Sequence, residues 1–73
     1  MVEYRYFGTV SAYRGGLLVH RDDDGPDAFL SAREAAKARV VLKEGDRIEF
    51  SVAPGAAAVD VMLLAYSGER HRV

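Results

Sequence analysis

The chain has 73 residues, enough to feed one hydrophobic core and too few for two. Its apolar fraction of 49% and net charge of −1 exclude intrinsic disorder, and ten Lys plus Arg against eleven Asp plus Glu exclude a general polycation. No cysteine is present, so a disulfide frame and a thiolate metal site are excluded too.

Tyr4 to Tyr13 reads as a strand rich in β-branched and aromatic residues, with Gly8 marking a bulge or tight bend. Its aromatic-basic beginning, Tyr4-Arg5-Tyr6-Phe7, is expected to pair with the apolar fifth strand. Arg14-Gly15-Gly16 is a turn signal, which makes a hairpin with Leu17 to His20. If Leu17 and Val19 point inward, Leu18 and His20 share the outer face.

Asp22-Asp23-Asp24-Gly25-Pro26-Asp27 is the strongest loop signal, and Ala28-Phe29-Leu30 is a short third strand behind it. Alternation turns Phe29 away from Ala28 and Leu30, hence outward when those two are core. Ser31-Ala32-Arg33-Glu34 has the form of a capping box, and the Ala-rich stretch to Ala38 predicts about two helical turns. The β-branched Val40 and Val41 end it.

Lys43-Glu44-Gly45-Asp46 is a turn. After it Arg47 to Val52 alternates polar and apolar, which sends Ile48, Phe50 and Val52 into the core. Ala53-Pro54-Gly55 turns the chain into a fifth strand, Ala58 to Ala65. Its run Val61 to Leu64 is apolar on both faces, so another part of the chain or a partner is expected to cover the outer one. Ser67 to Val73 reads as a flexible, locally basic tail. Five short strands with one helix after the third predict an all-β fold, a small closed barrel.

The order of motifs over residues 8 to 61 resembles the cold-shock domain family, whose fold is the oligonucleotide-binding (OB) type of five-stranded antiparallel barrel. Gly8-Thr9-Val10-Ser11-Ala12-Tyr13 is similar to that family's Gly-x-Val-Lys-Trp-Phe strand. Arg14-Gly15-Gly16-Leu17-Leu18-Val19 stands where it has Lys-Gly-Phe-Gly-Phe-Ile. Asp27-Ala28-Phe29-Leu30 resembles Asp-Val-Phe-Val, and Glu44-Gly45-Asp46-Arg47-Ile48-Glu49-Phe50 resembles Glu-Gly-x-x-Val-x-Phe.

In the family, rings on the first three strands stack unpaired bases. The resemblance therefore implies a base-binding surface in which Tyr13 keeps an aromatic, Arg14 a charge, Phe29 the central ring and Asp27 a carboxylate. Ala12 replaces a Trp, Gly16 and Leu18 replace two Phe, and Ser31-Ala32 replaces His-Phe. At about 1–3 kcal/mol per stacked base, four missing rings remove roughly 4–12 kcal/mol, which turns tight binding into weak binding.

Each feature has a plainer reading. Arg33, Lys37, Arg39 and Lys43 form either a solvated face or a phosphate-steering patch. Leu18 and Phe29 suit a protein partner as well as a base. The Asp22 to Asp27 loop lacks the spaced bidentate Glu of a calcium loop, and His20 and His71 lie too far apart in sequence for a zinc site. No nucleophile elbow or phosphate cradle is present, so no catalysis is expected.

The expectation is a cytoplasmic binding module without metal, cofactor or membrane attachment. It would bind single-stranded RNA or DNA weakly through Tyr13, Arg14, Leu18, His20, Asp27, Phe29, Lys37 and Arg39, in RNA handling or transcription regulation. The alternative is an OB module that binds a protein of the transcription or RNA machinery. A homodimer through the fifth strand or the tail is compatible with both.

Overall fold

A computed structural model describes residues 4–65; the expected tail at 67–73 lies outside the described residues. The elements are β1 (Tyr6–Tyr13), β2 (Gly16–Arg21), β3 (Ala28–Leu30), α1 (Ala32–Lys37), β4 (Arg47–Ala53) and β5 (Ala57–Ala65). The strands close in the order β1-β2-β3-β5-β4, a small all-β barrel of the OB type with its helix after the third strand. Every pairing is antiparallel except the closing one, where Phe29 of β3 meets Ala57 of β5 in parallel.

The first hairpin is a two-residue turn. Arg14 and Gly15 both have positive φ, 49° and 81°, as the turn whose twist matches two antiparallel strands requires. Tyr13 faces Gly16 at its base, so Gly16 belongs to β2 and not to the turn. Gly8 makes no bulge, since the β1 register runs unbroken on both sides. It sits where β1 pairs with β2 and β4 at once, and a Cβ there would stand 2.6 Å from the His20 carbonyl oxygen. The glycine answers to a close approach of strands.

The N-terminal segment does not pair with β5. Tyr6 faces Phe50 and Phe7 faces Glu49, so β1 is joined to β4. Arg5 lies across the outside of β4 and donates to Glu49 Oε2 at 2.8 Å, Ser51 Oγ at 2.9 Å and the Asp60 carbonyl oxygen at 2.8 Å. That clamp explains why Ser51, on the outward parity of its strand, is buried.

Ile48, Phe50 and Val52 face the interior as alternation requires, with Val10, Val19, Ala28 and Leu30 from the other strands. On β5 the period breaks. The register shifts opposite Phe50, and Asp60 takes a positive φ of 53°. The extra residue lets Ala58 and Val61, three apart, both reach the core. Met62 and Leu64 then point outward and are exposed, so among the described residues no part of the chain covers them.

Ser31 caps α1 by accepting the Glu34 N–H at 3.1 Å. The reciprocal half of the box is replaced, because Glu34 instead pairs with Lys37 and accepts the Asp60 N–H at 3.4 Å. The helix stops where Arg39 turns left-handed, φ 65°, and donates its N–H to the Ala36 carbonyl. Among the described residues no helix is long and apolar enough to cross a membrane.

Candidate nucleic-acid interface

The outer surface of β1, β2 and β3 follows from the pairing register. Val10, Val19 and Ala28 point into the barrel, so Ser11, Leu18 and Phe29, which lie in one row across the three strands, point out. Phe29 is 55% exposed between two buried neighbours, which makes it a surface ring and not a packing residue under the helix. Leu18 stands directly opposite it and is half-buried.

Tyr13 lies two residues beyond Ser11 on the same side of β1 and is 54% exposed. Strand spacing and rise put its Cα roughly 12 Å from that of Phe29, too far for the rings to touch each other. Each ring is therefore free to meet a separate base. The Arg14 guanidinium lies 5.5 Å from the centre of the Tyr13 ring, so the left-handed turn places a cation on the edge of this face.

His20 and Asp27 end the face on the other side. They lie two residues beyond Leu18 and Phe29, past the Val19–Ala28 pair, and His20 Nδ1 is 3.1 Å from Asp27 Oδ1. The acidic loop between them is internally committed. Arg47 holds Asp22 with two nitrogens, and Arg21 holds Asp23 in the same manner. Each hydrogen-bonded arginine holds its partner's carboxyl below the ordinary carboxylate range, with the Gly25 N–H adding to the effect at Asp23. With Asp22, Asp23 and Asp27 so engaged, the loop presents ion pairs, not a cation cage. Among the described residues, no group of three or more His, Asp or Glu side chains is placed to hold a metal ion.

Of the sequence-predicted residues, Tyr13, Arg14, Leu18, His20, Asp27 and Phe29 come together on or beside this face. Lys37 and Arg39 do not belong to its strand rows. Lys37 sits on α1, paired with Glu34 at 3.2 Å, and Arg39 in the turn that ends the helix. Sequence reasoning missed Ser11, the third member of the central row, because the resemblance puts a lysine there and a small hydroxyl carries no signal of its own.

No family model, no curated protein and no solved structure matches the chain, so nothing in these comparisons identifies a cold-shock domain.

Proposed function

We propose that this barrel is a weak, cold-shock-like binder of single-stranded RNA or DNA, working in the cytoplasm in RNA handling or transcription regulation. The observation that carries the reading is the pair of exposed rings, Tyr13 and Phe29, on one outer sheet face with Leu18 and His20 between and beside them. Stacking on such rings is tolerant of sequence, and Arg14 supplies one phosphate contact. The barrel then acts by binding and needs no metal, cofactor or chemistry of its own.

The test is an amide-shift titration of the labelled protein with a short pyrimidine-rich single strand, at low and at physiological salt. Shifts clustered at Tyr13, Leu18 and Phe29 are expected, and Phe29→Ala should weaken binding by about 1–3 kcal/mol. With one cation on the face, the logarithm of affinity should fall with the logarithm of salt at a slope of about −0.7, that of one phosphate. No shifts on this face would overturn the reading.

One observation favours a second reading. Leu18 and Phe29 form an apolar cross-strand pair with acidic Asp27 close by, a surface suited to a protein of the transcription or RNA machinery. Under that reading the oligonucleotide leaves the face silent, and a co-purified protein is lost on mutating Leu18 or Phe29.

A further inference from the structure

A second concave surface lies at the end of the barrel that the first hairpin closes, apart from the rings of the outer sheet face. It is a groove of about 400 Å³ between that hairpin, α1 and the chain leading into β4, with Leu17, Leu30, Ala35 and Ala36 among its walls. Among the described residues, no aromatic ring on which a base could stack lines it. Its walls are aliphatic side chains, small residues and two hairpin glycines, a shape for one apolar side chain to enter.

The charges around it are distributed unevenly. Arg5, Arg21, Lys37 and Arg47 are each committed to a carboxylate. Arg14, Arg33, Arg39 and Lys43 are exposed and have no carboxylate partner among the described residues. All of these uncommitted cations are chain neighbours of groove residues: Arg14 precedes Gly15, Arg33 follows Ala32, Arg39 precedes Val40 and Lys43 follows Leu42. Of the carboxylates on the chain leading into β4, Glu44 is exposed next to Lys43, and Asp46 is buried and accepts the Lys43 backbone N–H. Among the described residues, the cations without a carboxylate partner thus all stand next in the chain to residues that line an apolar groove.

We propose that this groove docks an acidic peptide segment of a partner protein, one apolar side chain entering the groove and carboxylates on either side meeting Arg14, Arg33, Arg39 and Lys43. Apolar lining supplies the anchor and the surrounding cations supply orientation and encounter rate. A nucleic acid would satisfy the cations and leave the lining unused. The inference does not rest on nucleic-acid binding at the sheet face: it shares Arg14 with that face and none of its rings, and Arg33, Arg39 and Lys43 belong to the groove side alone.

The test uses the full chain and a fluorescent, amidated hexapeptide, Asp-Glu-Phe-Leu-Glu-Asp, followed by anisotropy and amide shifts. Controls are the same peptide with lysines for its acids, and a hexathymidine strand. The expected result is shifts at Gly15, Ala36, Val40 and Leu42, with no binding of the lysine peptide. Ala36→Phe, which fills the groove from an exposed helix position, should weaken binding at least tenfold. The double change Arg39→Glu with Lys43→Glu, on exposed side chains that the fold does not use, should do the same, while Phe29→Ala leaves it unchanged. The proposal is overturned if the acidic peptide does not bind at millimolar concentration, or if its affinity is indifferent to both groove variants. It is equally overturned if the lysine peptide binds as well, or if the thymidine strand and not the peptide shifts the groove.

Discussion

Leu18 lies directly opposite Phe29 on the β2–β3 pair, both side chains on the outer face. Under the nucleic-acid reading this row has one stacking ring where it has room for two. Leu18→Phe places the second beside the first, at a half-buried site outside the core. Affinity for a pyrimidine-rich strand should rise by about 1–3 kcal/mol, roughly five- to 150-fold, with little change in unfolding midpoint. A titration of the variant that shows no gain would count against bases on this face and in favour of a protein there.

Gly8→Ala should destabilise the barrel by about 1–3 kcal/mol, as overpacking does. The added methyl would sit 2.6 Å from the His20 carbonyl oxygen and 2.7 Å from Val19 Cγ1. Val19 is wholly buried in the core and the carbonyl belongs to a paired strand, so neither gives way freely. Because β2 carries Leu18 and His20, its displacement should also weaken binding at the sheet face. Urea unfolding of the variant checks the first effect, and an unchanged midpoint would mean that the strands part freely at that corner.

What the sequence made legible were local properties. Alternation in Arg47 to Val52 puts Ile48 and Phe50 inside, Arg14-Gly15-Gly16 marks the first turn though Gly16 proves to be strand, and alternation turns Phe29 outward between Ala28 and Leu30. Pairing was harder. A periodic segment states which face is apolar, not which strand it meets, so the sequence pairs Tyr6 and Phe7 with the most apolar strand, whereas in the barrel these β1 residues pair with β4. The extra residue at Asp60 reverses parity part-way along β5, and no residue type marks it. Lys37 and Arg39, read from the sequence as a solvated face or a phosphate-steering patch around the helix, stand on α1 and in the turn that ends it, outside the strand rows of the sheet face. The uneven distribution of free cations around the groove emerges only once the ion pairs of the others are known.

Acid should loosen the β2–β3 loop. Asp22 and Asp23 have carboxyls held below their ordinary range by Arg47 and Arg21. A depressed folded-state value means that the stabilisation is complete above the unfolded carboxylate value near ~3.9 and is lost as pH falls through the lower, folded one. Thermal midpoints should therefore hold steady on this account from neutrality to about pH 5 and drop below pH 4. The double variant Asp22→Asn with Asp23→Asn should start lower and show a shallower acid limb. An acid limb of unchanged steepness in that variant would place the titrating groups elsewhere.

Removing the Arg5 side chain takes away three hydrogen bonds between residues far apart in the sequence. Its guanidinium joins Glu49 and Ser51 of β4 to the carbonyl of Asp60, the left-handed residue of the β5 bulge. Ser51 is almost wholly buried beneath it, and Arg5 and Glu49 are each only a quarter exposed. Arg5→Ala removes a donor from each of these groups together with the stem that covers them, and hydrogen bonds to a charged group contribute about 1.5–3 kcal/mol in such settings. Denaturant unfolding should show a loss in that range, and hydrogen exchange should quicken first at the amides around Asp60. Arg5→Lys retains one charge and cannot span all three acceptors, so it should recover only part of the loss. Full recovery by lysine would mean that the charge beside Glu49 matters and that the fork holding the bulge does not.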